Sequence, residues 1–199
     1  MKNILKLEFK DVLDYIFKKL KDTNLINNET TIVMPMLEYG LNEVVNYAII
    51  NNIKLTLCIF NSAENVIEQS NNNIQIIAIP SSMMIDDLIE MAKDMALEID
   101  NSYLLSPFLN RDFESYFYKV LAKKIDNDYP DINYLSIPII YGDLISGLAK
   151  YFKIKKDCYI KGVIYKDFDY KLDLDLIDQI TKDNRIDDNY NSLEILIDL

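Results

Sequence analysis

The chain of 199 residues contains no histidine, and this absence excludes several kinds of active site. Serine or cysteine nucleophiles that are activated by histidine need that side chain, and so do histidine-ligated zinc sites. Histidine is also the usual general base near neutral pH. Catalysis by this chain would therefore depend on lysine, tyrosine, carboxylates or a bound cofactor.

Cysteine is scarce, and the chain lacks long apolar runs. Its two cysteines, Cys58 and Cys158, each lie in a strand-like apolar run, which is typical of buried reduced thiols rather than of a disulfide framework. The N-terminal sequence MKNILKLEFKD is interrupted by charge, so it has no signal-peptide core, and no apolar run is long enough to span a bilayer. We expect a cytoplasmic protein with no membrane segment.

Positive charge is in the minority, with 21 Lys and Arg against 32 Asp and Glu and a net charge of -11. Binding along a nucleic-acid backbone needs a basic patch, and the sequence shows no cluster of more than a few lysines. We therefore expect no nucleic-acid partner. Half of the residues are hydrophobic, which is enough for one substantial core or two small lobes.

Hydrophobic periodicity predicts that strands and helices alternate between residues 30 and 165. Such alternation predicts a three-layer α/β fold, with a mostly parallel twisted sheet and helices on both faces. The predicted strands are 30–36, 53–60, 74–79, 102–105, 134–140 and 158–165. The predicted helices are 10–22, 41–49, 62–70, a stripe over 85–99 capped by Ser81 or Ser82, 113–125 and 144–152.

The predicted organisation is an α/β domain over residues 1–165, followed by an extension over residues 166–199. Within the domain we distinguish one lobe at 10–105 and a second at 106–165. The extension contains an alternating run, KLDLDL at 171–176, and in this region we predict an edge strand whose solvent-exposed face carries Asp169, Asp173 and Asp175. It ends in SLEILIDL, an apolar tail that we expect to dock on the sheet or on a partner subunit.

Residues 134–153, YLSIPIIYGDLISGLAKYFK, form the most informative stretch. They predict a buried strand, a tight turn at Tyr141-Gly142-Asp143 and a helix. The N-terminus of a helix that follows a strand presents unpaired N–H groups, which suit a phosphate or a carboxylate. Gly142, Asp143 and Leu144 are thus a candidate anion site. Asp143 can instead cap the helix and accept hydrogen bonds from the same N–H groups.

The segment PIIYGDLISGLAKYFK, with other short motifs in the same order, resembles the fold type II pyridoxal-phosphate enzymes, such as cysteine synthase, threonine synthase and the β subunit of tryptophan synthase. The resemblance covers roughly residues 8–165. In the segment, the matching residues are Pro138, Gly142, Leu144, Ile145, Ser146 and Gly147. The other motifs are Phe9-Lys10-Asp11, the strand and loop at 30–40, the strand at 53–60, and Ser106-Pro107-Phe108.

The resemblance implies a role for each of three places in the chain. Lys10 would be the lysine that forms a Schiff base with the cofactor. The turn at Gly142, Asp143 and Leu144 would hold the cofactor phosphate. The loop Leu37-Glu38-Tyr39-Gly40 would hold the carboxylate of the substrate.

The chain departs from the family pattern at each of these places. Side chains stand where the family has glycines, and Asp143 puts a negative charge beside a dianion, which costs about 3 kcal/mol per charge pair at about 5 Å and an effective dielectric of about 20. Glu38 would repel a substrate carboxylate. Lys10 has the acidic residues Glu8 and Asp11 beside it, whereas a lysine that forms a Schiff base is activated by burial or by a neighbouring cation. The chain also ends before the part of the family's large domain that supplies a partner for the pyridine nitrogen.

Three hypotheses follow from the resemblance and the departures. The first is a degenerate fold type II protein that has lost its cofactor and has a binding or scaffolding role, with a protein partner or as a homodimer. The second is an active pyridoxal-phosphate-dependent lyase or synthase that acts on a small amino acid through Lys10. The third is a small-molecule sensor that binds its ligand in the crevice where the family binds cofactor and substrate, without catalysis.

Two groups of acidic residues have spacings that could bind a metal ion. Asp126, Asp128 and Asp131 resemble a calcium loop, but Asp131 and Ile137 occupy the positions of the required glycine and glutamate. The second group, Asp169, Asp173 and Asp175, fits the solvent-exposed face of an edge strand better than a metal site. We therefore expect no metal site.

Overall fold

The computed structural model of the chain describes residues 2–67, 71–108, 111–164, 174–182 and 192–197. In chain order its strands and helices are β1 (Lys2–Leu7), α1 (Phe9–Asp22), β2 (Thr31–Pro35), α2 (Leu41–Ile50), β3 (Lys54–Phe60), β4 (Ile74–Ile79), α3 (Ile85–Glu98), β5 (Ser102–Leu104), α4 (Arg111–Tyr116), α5 (Ala122–Asp128), β6 (Tyr134–Ile139), α6 (Asp143–Lys155), β7 (Tyr159–Ile164), β8 (Gln179–Thr181) and β9 (Ser192–Ile197). A π-helical turn, Phe117–Leu121, joins α4 to α5.

The chain divides into two compact units. The amino-terminal unit comprises Phe9–Asn110, and the carboxy-terminal unit comprises Met1–Glu8 together with Arg111–Asp198. Residues 106–110, which the sequence-based organisation assigns to the second lobe, therefore group with the first. The first eight residues group with the second half of the chain.

The amino-terminal unit is built on a parallel sheet of four strands in the order β4-β3-β2-β5. The helix α1 packs against α2, and α3 packs against β2, β3 and β5. Apolar residues recur on one face of α1 with helical spacing, and that face is buried. The buried residues of α1 are Val12, Leu13, Ile16, Phe17 and Leu20.

The carboxy-terminal unit is built on a parallel sheet of five strands in the order β1-β9-β6-β7-β8. The strand β9, near the end of the chain, lies between β1 and β6 and pairs with both. The apolar tail therefore forms an inner strand of this sheet over Ser192–Ile197.

The helix α6 lies against the sheet where β7 carries a glycine. A Cβ at Gly162 would lie 2.5 Å from the Cδ1 atom of Ile139 on β6 and 2.9 Å from that of Ile145 on α6. The missing side chain at Gly162 therefore makes room for both isoleucines, one from β6 and one from α6.

The predicted α/β fold is confirmed, with parallel sheets flanked by helices. Both cysteines are buried free thiols. In the part of the chain that the structure describes, no helix has the length and apolar character needed to cross a membrane.

Three local predictions need correction, and one strand was not predicted. Residues 174–176 form a 3-10 turn rather than part of an edge strand, and residues 165–173, which include Asp169 and Asp173, lie outside the described residues. In the described part of the predicted helix at 62–70 the chain forms a 3-10 segment, Asn61–Val66, and residues 68–70 lie outside the described residues. The cap of α3 is at Met84, whose N–H donates to Asp87 Oδ2 at 2.8 Å. The strand β1 was not predicted, since charged residues interrupt its apolar pattern.

Candidate functional site

The turn between β6 and α6 depends on one glycine. Gly142 is the N-cap residue of α6 and has φ 90°, a left-handed conformation that glycine adopts without steric cost. The prediction that Asp143 is the cap is therefore wrong in position. Asp143 is the first residue of the helix, and its Oδ1 atom accepts a hydrogen bond from the N–H of Leu144 at 2.8 Å.

The carboxyl group of Asp143 is only partly accessible to water. Loss of solvation raises the pKa of Asp143 to about 7, hydrogen bonds from the N–H groups of Leu144 and Asp143 itself oppose that rise, and the charge of Glu114 adds to it. Near neutral pH this carboxyl group therefore exchanges between its neutral and its ionised form.

A close helix contact lies one turn further along α6. A Cβ at Gly147 would lie 2.7 Å from the Cβ of Phe117 and 2.8 Å from the backbone oxygen of Glu114. The side chain of Glu114 accepts a hydrogen bond from Lys150 Nζ at 2.6 Å. The ion pair therefore joins α4 to α6 beside the close packing at Gly147, with Lys150 two turns beyond Asp143.

The far end of α6 is held by a second charged group. Lys155 Nζ lies 2.6 Å from Asp126 Oδ2, and the Tyr151 hydroxyl donates to the same oxygen at 3.0 Å. Lys156 contacts the other oxygen, Oδ1, of this carboxylate. The hydrogen bond from Lys155 and then that from Lys156 lower the pKa of Asp126 to about 2. This carboxylate joins the end of α5 to the end of α6.

The second predicted loop lies in the amino-terminal unit, between β2 and α2. Leu37 is buried, and Glu38 and Tyr39 are partly exposed. Gly40 is the N-cap residue of α2 with φ 77°. This turn therefore repeats the design at Gly142: a buried parallel strand, a left-handed glycine and then a helix.

Lys10 is the second residue of α1 and its side chain is exposed. The residue before it, Phe9, packs on the second loop, because a Cβ at Gly40 would lie 3.5 Å from Phe9 Cδ1 and 3.7 Å from Met36 Cε. The structure thus brings the start of α1 to the start of α2. Gly142, Asp143 and Leu144 belong to the other unit.

We expect Gly40→Ala to lower the free energy of unfolding by about 1 kcal/mol. The added Cβ would meet its neighbours at ordinary contact distances, so the loss comes from the left-handed backbone alone. Urea denaturation measures it. Gly40→Asn is the matched control, since asparagine tolerates this conformation, and a larger loss for Asn than for Ala would contradict the explanation.

Sequence reasoning missed polar groups that only the fold brings together. Asn61 follows β3 and Ser81 follows β4, and the Ser81 hydroxyl donates to Asn61 Oδ1 at 2.5 Å. On β6, Ser136 lies in register with Lys161 of β7 and Glu194 of β9, and all three are buried. In the sequence, the only sign of this buried group is one charged residue in each of two apolar runs, Lys161 in β7 and Glu194 in β9.

Comparison with known proteins gives matches among solved structures only. No family model and no curated protein matches the chain. An O-acetylserine-dependent cystathionine β-synthase from Helicobacter pylori matches with a TM-score of 0.66 and 19% identity, over 95% of this chain and 66% of that chain. A hydrogen sulfide-producing enzyme from Fusobacterium nucleatum matches with a TM-score of 0.70 and 13% identity, over 94% of this chain and 67% of the other.

A third structure, of a hydrogen sulfide-producing enzyme in complex with an α-aminoacrylate intermediate, matches with a TM-score of 0.71 and 16% identity over 85% of this chain. This chain spans 60% of its length, and about two thirds of the other two. All three neighbours are fold type II pyridoxal-phosphate-dependent enzymes. At these identities, what the chain shares with them is the fold.

Proposed function

We propose that this chain is a non-catalytic protein on a fold type II scaffold, with a binding or scaffolding role and without bound pyridoxal phosphate. The observation that carries this proposal is the position of Asp143. Its carboxyl group lies at the first residue of α6 and accepts the Leu144 N–H at 2.8 Å. That N–H group is one of the donors that a phosphate at this helix end would need.

The fit of pyridoxal phosphate to these residues is poor. Gly142 keeps the left-handed turn, but the Asp143 carboxyl already satisfies N–H groups at the helix end. In its ionised form the carboxyl also repels a phosphate dianion by several kcal/mol at an effective dielectric of about 20. The residues at this helix end therefore do not fit the cofactor phosphate.

The amino-terminal unit supports the same proposal. Glu38 lies just before the start of α2, where a substrate carboxylate would have to bind, and like charges disfavour that binding. Lys10 is exposed at the start of α1, whereas a lysine that forms a Schiff base is usually activated by burial or by a neighbouring cation.

The contact between Phe9 and Gly40 favours a second candidate function. It brings the start of α1, which carries Lys10, to the loop Leu37–Gly40, as an active pyridoxal-phosphate-dependent lyase or synthase acting on a small amino acid would require. A sensor that binds a small molecule at this loop would share the arrangement without using Lys10.

One experiment separates these functions. We expect that the purified chain, incubated with pyridoxal phosphate and reduced with borohydride, carries no cofactor on Lys10 when its peptides are examined by mass spectrometry. Lys10→Arg is the matched control, because it keeps the charge and cannot form the adduct. Adduct formation confined to Lys10, and abolished in Lys10→Arg, would establish the second candidate instead.

A second measurement tests the role of Asp143. In Asp143→Gly the carboxyl group is removed and its N–H donors are released, so we expect thermal stabilisation by pyridoxal phosphate to be greater in the variant than in the parent chain. Equal stabilisation of both would show that Asp143 does not block the position. Stabilisation of the parent chain by a free amino acid, without any adduct, would favour the sensor.

A further inference from the structure

One edge of the amino-terminal sheet lacks the features that usually protect an edge strand. Natural edge strands are short or carry charges that prevent pairing with other chains. The edge strands β5 and β8 have three residues each, and β1 carries Lys2 and Lys6. The strand β4 has six residues, IQIIAI, and no charge.

The absence of charge extends well beyond β4. Residues 69–85 contain no Asp, Glu, Lys or Arg and form the longest uncharged stretch of a chain in which 27% of residues are charged. Just beyond the end of β4, Met83 is 44% exposed and Met84 is 66% exposed. Methionine side chains adapt readily to an apolar partner.

The ladder between β3 and β4 shows which backbone groups point outward. The Leu55 N–H donates to the oxygen of Asn73 at 2.8 Å, and Leu55 is in register with Ile74. In a parallel pair, alternate residues bond to the same neighbour, so Gln75 and Ile77 bond toward β3. The N–H and C=O groups of Ile76 and Ala78 therefore point away from β3. Among the described strands, only β3 pairs with β4.

We propose that this outer edge of β4 is an interface that pairs with the same edge of a second copy of the chain. The two strands would run antiparallel about a twofold axis at Ile76, and the two sheets would join into one. Pairing at this edge does not depend on whether a cofactor binds.

Two observations favour a second copy over another partner. A basic partner would be attracted to the acidic surfaces of this chain rather than to its uncharged stretch, whereas a second copy, which also carries a net charge of -11, meets the least repulsion at that stretch. The outward groups are also self-complementary. With Ile76 opposite Ile76 of the partner subunit, these two residues can exchange both backbone hydrogen bonds, and Ile74 comes opposite Ala78 of the partner subunit. The Ile74 N–H already donates to the oxygen of Asn71 at 3.1 Å, so at this pair the bond runs from the N–H of Ala78 of the partner subunit to the oxygen of Ile74.

The test combines a concentration series with amide exchange on the full chain. We expect light scattering to show a monomer–dimer equilibrium. By NMR, the amides of Ile76 and Ala78 should gain protection as the dimer forms, whereas those of Gln75 and Ile77 are protected throughout. Ile76→Lys places two ammonium groups opposite each other and should weaken dimerisation at least about tenfold.

Gln179→Lys is the matched control, since it adds the same charge to the edge strand of the other sheet and should leave dimerisation unchanged. If Ile76→Lys fails to fold, Ala78→Lys tests the same edge. A chain that stays monomeric with rapidly exchanging Ile76 and Ala78 amides would overturn the proposal and leave the edge to a different protein. Protection of both amides in the monomer would overturn it too, because the edge would then be covered by the chain itself.

Discussion

Gly147→Ala is expected to lower the free energy of unfolding by about 2 kcal/mol, although alanine is the better helix former. In an exposed helix the exchange would stabilise by about 1 kcal/mol. Here the new Cβ would lie 2.7 Å from the Cβ of Phe117 and 2.8 Å from the backbone oxygen of Glu114. Neither atom is the end of a flexible side chain, so α6 must move away from α4, and overpacking of this kind costs about 3 kcal/mol at the upper end of its range.

Urea denaturation followed by circular dichroism measures this loss. Ser146→Ala is the matched control, because it changes the adjacent, partly exposed position of the same helix and should shift stability by less than about 0.5 kcal/mol. A Gly147→Ala chain as stable as the parent would show that α4 does not pack this closely on α6 at Gly147.

The sequence predicted elements with strong local patterns and missed those defined by distant pairing. The strand β4 and the helix α2 were predicted almost to the residue, since their apolar spacing and flanking turns lie within a few positions. The strand β1 was missed because Lys2 and Lys6 interrupt its pattern, and it is stabilised by β9, whose partners are fixed only in the folded chain. No local window contains that information.

The candidate site shows the same limit. The turn at Gly142 was predicted from its position between a strand pattern and a helix pattern, and the structure contains it. The neighbour of Asp143 was not predicted: Glu114 lies far away in sequence and acts on Asp143 only because Gly147 allows α4 to pack closely on α6. The sequence signal was a glycine inside a predicted helix, which is compatible with several kinds of close packing.

The second large effect concerns pH, because Asp143 binds its proton more tightly in the folded chain than in the unfolded chain. Its pKa is about 7 when folded, against an ordinary value of 3.8. The contribution of this group to stability is therefore fully present below about pH 4, declines as pH rises to about 7 and is constant above that. Since the carboxyl retains some contact with water, we expect a decline of about 2 kcal/mol rather than the full value of the shift.

Asp143→Asn tests this directly, since the amide keeps the shape and the acceptor oxygen but cannot ionise. The difference in unfolding free energy between variant and parent should grow in favour of the variant from pH 4 to pH 7 and then level off. Asp128→Asn, which removes an exposed carboxylate of α5, controls for the change in net charge. If the difference in unfolding free energy between the parent chain and Asp143→Asn does not vary with pH, water reaches this carboxyl group freely. The first turn of α6 would then be open to an external anion.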